Sequence, residues 1–212
     1  MTIIAIDGPA GAGKSTVARA LAARLGLEYL DTGAMFRAVA LAASRRGVRL
    51  DDVVAVGKLA RSTSVDVGEF GVFVDGLDVT TEIRTPEVTV AASVIAANSE
   101  VRAELRARQR SWVEQRGGGV VEGRDIGSVV FPDAALKLYL TASPRIRAER
   151  RVAEAGGDVE AVARDITRRD HSDSSRVDSP LREAHGSVVV DTSGLSIDEV
   201  LDEIEAMLEG RQ

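Results

Sequence analysis

Ile3-Ile4-Ala5-Ile6, followed by Gly8-Pro9-Ala10-Gly11-Ala12-Gly13-Lys14-Ser15, decides the fold. Four consecutive apolar residues read as a strand buried on both faces. Behind the glycines, Val17, Leu21 and Leu25 recur at helical spacing. Between strand and helix stands a complete G-x-x-x-x-G-K-S phosphate-binding loop, in the context that gives the motif its meaning. Its glycines let successive backbone N–H groups turn toward a polyphosphate, and the following helix start adds its positive dipole end. Lys14 is placed to reach the β- and γ-phosphates, and the Ser15 hydroxyl to ligate Mg²⁺. Gly8, Pro9, Ala10, Gly11, Ala12, Gly13, Lys14, Ser15 and Thr16 are therefore the candidate nucleoside-triphosphate site, with Lys14 expected in a solvent-accessible loop.

Outward from this loop, five apolar runs read as core strands: Thr2–Ile6, Glu28–Leu30, Gly119–Glu122, Leu136–Leu140 and Ser187–Val190. Helical patterns separate them, so the fold class is α/β with a mainly parallel sheet. Ser143-Pro144 and Thr85-Pro86 each set a capping hydroxyl before a proline at the first helical position. Ser196-Ile197-Asp198-Glu199 is a capping box opening a last amphipathic helix through Leu208. From Val65 to Val79 the period changes to two, with Asp75-Gly76 between alternating runs, which predicts a small antiparallel insert. The stretch from Arg145 to Arg182 is dense in both charges and helical at Val159–Arg169. It suits a mobile lid or a plain solvated helix pair.

Composition narrows the function. With 212 residues and 44% hydrophobic content the chain can bury a sizeable core, but aromatics are only 3%, so aliphatic side chains must fill it. The absence of Cys excludes disulfides, thiol catalysis and thiolate metal sites. His171 and His185 are the only histidines and do not read as a zinc site. A net charge of −6 argues against nonspecific nucleic-acid binding. No charged segment with a following apolar stretch precedes Ile3, and no apolar run could span a bilayer, so a cytoplasmic location is expected.

Three further segments carry candidate chemistry. Asp31-Thr32-Gly33-Ala34-Met35-Phe36-Arg37 begins where the second strand ends, with Thr32 as a helix cap. Ligands bind at the carboxyl ends of strands in open α/β sheets, although an ordinary strand-to-helix turn would look the same. Glu122-Gly123-Arg124-Asp125-Ile126-Gly127 follows the third strand, where an Arg-Asp pair can meet a charged ligand or form a structural ion pair. Arg168 to Arg176 reads as a polar loop after the lid helix.

Taken in order, the phosphate loop, D-T-G-A-M-F-R, I-R-T-P-E-V, E-G-R-D-I-G-S-V-V-F-P-D and R-D-x-x-D-x-x-R closely resemble the bacterial cytidylate kinase family over essentially the whole chain. The resemblance implies a P-loop kinase with a central, mainly parallel five-stranded sheet, an antiparallel β insert and a helical lid. It implies one domain over 1–212: core about 1–60, 112–144 and 180–212, monophosphate-binding insert about 61–111, and lid about 145–179. The implied reaction transfers the γ-phosphoryl of ATP to CMP or dCMP with Mg²⁺, and the implied state is a monomer. Carried over by position, Arg37, Arg124 and Arg176 look like the clamp on the acceptor phosphate. Ser93, Arg102 and Asp125 look like the cytosine readers, and Arg169 and Asp173 like the residues holding the sugar hydroxyls. Thr32 stands where the family often has Ser, and Phe36 where Tyr is common, which keeps a ring and loses its hydroxyl. Ser172 replaces a frequent basic residue. Arg147, Arg150 and Arg151 are candidates to close over the transferring group, with Lys14, Arg124, Arg151 and Arg176 as the catalytic set. The attacking oxygen belongs to a phosphate, so no side-chain base is required. Another nucleotide or coenzyme kinase would share the loop and lid. A regulatory GTPase would carry N-K-x-D, and Asn98 is followed by Ser.

Overall fold

The computed structural model describes residues 1–209. In chain order the elements are β1 (Thr2–Asp7), α1 (Lys14–Leu25), β2 (Tyr29–Asp31), α2 (Thr32–Arg45), α3 (Val53–Ser62), β3 (Val65–Gly68), β4 (Gly71–Val74), β5 (Leu77–Asp78), α4 (Pro86–Ile95), α5 (Ser99–Arg116), β6 (Gly118–Glu122), β7 (Leu136–Thr141), α6 (Pro144–Ala155), α7 (Val159–Ser174), β8 (Val188–Asp191) and α8 (Ile197–Glu209). A five-stranded sheet has the order β2-β6-β1-β7-β8, and β3, β4 and β5 form a separate three-stranded sheet. The five core strands expected from apolar runs are all present, within a residue or so at each end. The chain divides into two compact units, residues 29–117 and the remainder.

In the unit that holds the phosphate loop, β1 pairs in parallel with β6 on one edge and with β7 on the other, Ile4 opposite Val120 and Leu136. β8 continues the sheet in parallel beyond β7. Ile3 to Asp7 are all buried, which is why this strand reads as an unbroken apolar run rather than an alternation. Ile6, Leu21, Leu138, Leu140 and Leu201 complete a core of aliphatic side chains. The capping box of α8 forms as expected: Ser196 Oγ accepts from Glu199 N and the Glu199 carboxylate accepts from Ser196 N. Arg24 at the last turn of α1 pairs with Asp198, Asp202 and Glu205 of α8.

In the unit of residues 29–117, α2 is nearly apolar all round, and Ala34, Met35 and every residue from Ala38 to Ala43 are buried. Small side chains allow close packing here without aromatics. The antiparallel insert pairs Val65 with Val74 and Phe73 with Asp78. Its tight turn falls at Asp75-Gly76, both at positive φ, as a two-residue hairpin requires. Arg108 donates to the carbonyls of Ala60 and Thr63 at the C-terminal end of α3, satisfying orphan acceptors with a charge that suits the helix dipole.

Two local expectations need correction. Asp31, not Thr32, caps α2: its Oδ1 accepts from Ala34 N at 2.9 Å, and Thr32 is the first helical residue. A carboxylate there outcompetes the hydroxyl because it also pairs with Arg37. The polar stretch from Arg168 is not a loop, because α7 continues to Ser174. Asp158 caps it and its buried Ile166 anchors it, so periodicity outweighs local polarity.

Candidate active site

The loop after β1 is shaped by close approach. A Cβ on Gly8 would stand 2.0 Å from the Leu140 carbonyl oxygen, so only glycine lets the chain leave the sheet there. Gly13 precedes α1, whose first turn has no side-chain cap and no acidic residue, leaving its N–H groups available to an anion. Ser15 is exposed just inside the helix. Lys14 is not in an accessible loop: it is the first helical residue, buried, with Nζ donating to Pro9 O at 2.8 Å. Burial, with the Arg124 charge nearby, pushes its ammonium down to about 7, against the opposing pull of Glu122, Asp7 and Asp173.

Arg124 and Arg176 converge on one carboxylate. Arg124 Nε donates to Asp173 Oδ2 at 2.8 Å, and Arg176 pairs with Oδ1 of the same residue. Burial opposes ionisation of Asp173, but the two guanidinium groups outweigh it and hold its pKa below the usual carboxylate range. The sequence separation of Arg124, Asp173 and Arg176 thus closes into one cluster, brought together by the end of β6 and the last turn of α7. Arg169 lies one turn earlier on α7 and adds to the positive surroundings of Asp173. Asp125 is buried next to Arg124, at the start of a wide turn over Ile126–Val130.

The α6 arginines occupy different places. Arg147 is buried, donates to Ala142 O and Ala10 O, and pairs with Asp170, whose Oδ1 accepts from Ala10 N at 3.1 Å. Arg150 donates to the hydroxyl and carbonyl of Thr192, and that hydroxyl donates to Ala12 O. Both reach the phosphate loop. Arg151 is exposed and paired with Glu154.

In the unit of residues 29–117, Thr32, Phe36 and Arg37 lie on the first turns of α2. Arg37 pairs with Asp31 at 2.8 Å. The Arg102 guanidinium stands over the Phe36 ring at 5.5 Å and donates to Ala96 O just past α4. Ser93, on α4, donates to Thr89 O.

Sequence reasoning missed Asp7. It is buried, and its two oxygens accept from Ile126 N at 2.8 Å and Gly127 N at 2.7 Å. Burial raises its pKa to about 6, opposed by those two N–H groups. The one available signal was an acid closing an apolar strand directly before the glycine loop. Thr192 was missed as well, and Asp170, quoted within R-D-x-x-D-x-x-R, was given no role of its own, since polar residues near a turn carry no distance information.

The profile of cytidylate kinase matches residues 4–209. The chain belongs to the cytidylate kinase family. A cytidylate kinase of Desulforamulus reducens is 48% identical over 97% of this chain and 96% of its own length. That of Mycolicibacterium paratuberculosis is 47% identical, over 99% and 96%. A gluconokinase structure from Sinorhizobium meliloti superposes with a TM-score of 0.50 at 16% identity, covering 98% of this chain and 91% of that one, a likeness of fold. As a cytidylate kinase family member the chain is a (d)CMP kinase, a phosphotransferase with ATP as co-substrate. Among the described residues no helix is long and apolar enough to cross a membrane.

Proposed function

We propose that the loop from Gly8 to Thr16 binds the ATP phosphates, that Arg37, Arg124 and Arg176 hold the acceptor phosphate of CMP or dCMP, and that Ser93, Arg102 and Asp125 read the base. Arg169 and Asp173 would hold the sugar hydroxyls, with Thr32 and Phe36 completing the acceptor site. The observation that carries this reading is the convergence of Arg124 and Arg176 on Asp173, with Lys14 close enough for the Arg124 charge to depress its pKa. Two fixed guanidinium forks suit a dianionic acceptor that would otherwise repel the incoming phosphoryl group. In the reaction an acceptor phosphate oxygen attacks the γ-phosphorus, the bond to the β-bridging oxygen breaks, and the charge moves onto ADP. Lys14 neutralises the phosphates, and an arginine of α6, from Arg147, Arg150 and Arg151, closes on the transferring group.

The residues present fit Mg²⁺. Ser15 offers a hard hydroxyl oxygen, and no cluster of three acidic or histidine side chains among the described residues could cage a metal. Magnesium characteristically keeps water and substrate phosphates as its main ligands. When bound there it would supply charge neutralisation across the phosphates. The residues around 61–111 serve as the monophosphate-binding insert and 145–179 as a lid on a core made of the rest. The protein acts as a cytoplasmic monomer in pyrimidine nucleotide metabolism, with no nucleic-acid or membrane partner.

An ATP-dependent assay against CMP, dCMP, UMP, AMP and GMP tests the substrate reading. CMP and dCMP should be preferred over UMP by about 10²-fold or more, since uracil would set a carbonyl oxygen against the Asp125 carboxylate. Equal turnover of UMP would remove Asp125 as the reader. Activity that survives chelation of divalent cations would remove the metal.

A further inference from the structure

We infer that Asp7 is a positioning residue that sets the acceptor specificity by fixing the backbone on which Arg124 and Asp125 stand. The inference rests on the proposed roles of those two residues. Gly123 N donates to Ile6 O at 2.9 Å, and Ile126 N and Gly127 N donate to the two oxygens of Asp7. Arg124 and Asp125 are therefore the only two residues between consecutive ties to the end of β1, one before them and two after. β1 is hydrogen-bonded on both edges and buried throughout its last five residues, so it is a stiff reference for that segment.

The turn itself gives Asp7 its task. Val130 N bonds to Asp125 O and Phe131 N to Ile126 O, a wide i→i−5 pattern that leaves the first N–H groups without partners inside the turn. A carboxylate offers a separate oxygen to each of the two groups, whereas an amide in its place would turn an NH₂ donor toward one of them. Keeping it ionised in a buried site opposes stability, as its raised pKa of about 6 indicates, and groups held at such a cost concentrate at functional sites. Gly127 closes the arrangement from behind. A Cβ there would lie 3.0 Å from Lys137 Cγ and 3.3 Å from Ala184 Cβ, so a side chain would press on both and push the amide from its place against Asp7 unless they give way. Lys14 also favours the ionised form of Asp7, but less than either backbone amide does, so the turn is its main partner.

The test compares Asp7→Asn, Gly127→Ala and Asp125→Ala in steady state, with CMP and UMP as acceptors. Asp7→Asn keeps the shape and turns a donor toward one of the two amides. It should lower kcat/KM for CMP about 10-fold or more, the scale of a small misplacement of a reacting group. The ratio of CMP to UMP specificity should narrow, while KM for ATP stays near wild type. This ratio does not depend on the fraction of folded enzyme. Gly127→Ala leaves the carboxylate in place and presses on the amide, and should narrow the ratio in the same direction, with a shifted amide resonance at position 127 or its neighbours by NMR; if Asp7→Asn does not fold, this variant decides, a shifted resonance with an unchanged ratio overturning the inference. An unchanged ratio overturns the inference, as does a loss confined to KM for ATP, which would make Asp7 a counterion of Lys14. If Asp125→Ala itself leaves the ratio intact, the reader assignment fails instead. The inference then stands on KM for CMP through Arg124: raised in Asp7→Asn it holds, and unchanged it is overturned.

Discussion

The strand β1 and the helix pair α6–α7 both reach the phosphate loop, and they are held by different forces. β1 presents Ile3, Ile4, Ala5 and Ile6 to a core of aliphatic neighbours and is paired on both edges. Each of the three isoleucines contributes about 1.5–3 kcal/mol through burial. In α6 the buried residues are Arg147 and Ala148, and in α7 Ile166 and Asp173. Their seam consists of Ala148 and Ile166 with Ala10, flanked by Val159, Val162 and Ala163. Beyond it the pair depends on ions and hydrogen bonds, notably Arg147 with Asp170 and Ala10. One side of the loop is fixed by water-excluding packing; the other is fastened by charges that a polyanion can compete for.

The largest expected effect is chemical and leaves the packing alone. Lys14→Ala should reduce turnover by at least roughly 10²-fold, the scale for losing one preorganised charge stabiliser. Its melting temperature should stay at or above wild type, because the buried ammonium opposes folding. A matched loss of stability and turnover would mean that Lys14 belongs to the packed side of the comparison.

Truncations measure the contrast directly. Leu138→Ala, in the fully packed sheet, should cost about 2–5 kcal/mol in urea unfolding. Ile166→Ala should cost about 2 kcal/mol or less, since the thin seam of α6–α7 can collapse into the space. Equal costs would erase the distinction between the two regions.

Comparable to the Ile166 truncation, and confined to one side, is the effect of Arg147→Ala. A hydrogen bond to a charged group contributes about 1.5–3 kcal/mol, so amide exchange in residues 144–174 should accelerate about tenfold or more while β1 stays protected. A bisubstrate analogue should slow exchange in α6–α7 more than in the strands. Equal protection with and without it would describe a static pair.

The smallest effect is a fraction of a proton. Lys14 has its pKa lowered to about 7, so between pH 7 and the ordinary lysine range the unfolded chain holds a proton that the folded chain releases. Stability should therefore rise with pH in that window, and the dependence should vanish in Lys14→Ala. A bound triphosphate favours the ammonium, so ATP binding near pH 7 should take up a fraction of a proton. Calorimetry in buffers of different ionisation enthalpy measures it; proton release would reverse the sign.

The packed side was the legible one. Ile3 to Ile6, Leu136 to Leu140 and the glycine loop announce themselves because burial on both faces leaves an unbroken apolar run. Hairpin and caps were equally plain at Asp75-Gly76, Ser143-Pro144 and Ser196-Glu199, where the chemistry is local. The polar side was not. Asp7 bonds to residues more than a hundred positions away, and Asp170 bonds to Ala10 across 160 positions. A charged side chain carries no periodicity that marks its partner, so α7 read as a loop where its polar residues crowd, and Asp31 yielded its cap to Thr32.

Trp112, the chain's single tryptophan, lies buried on α5 with Nε1 donating to Val67 O and the Arg116 guanidinium 4.4 Å from its ring. Every one of these partners belongs to residues 29–117, so excitation at the red edge of the indole band, beyond the absorption of Tyr29 and Tyr139, addresses that unit alone. Indole emission then follows the β insert and its helix, while far-ultraviolet dichroism averages over the whole backbone. The molecule thus contains its own optical reporter for one half. Recording both signals in a single thermal melt would show whether the two units lose structure together or in turn, with no label attached.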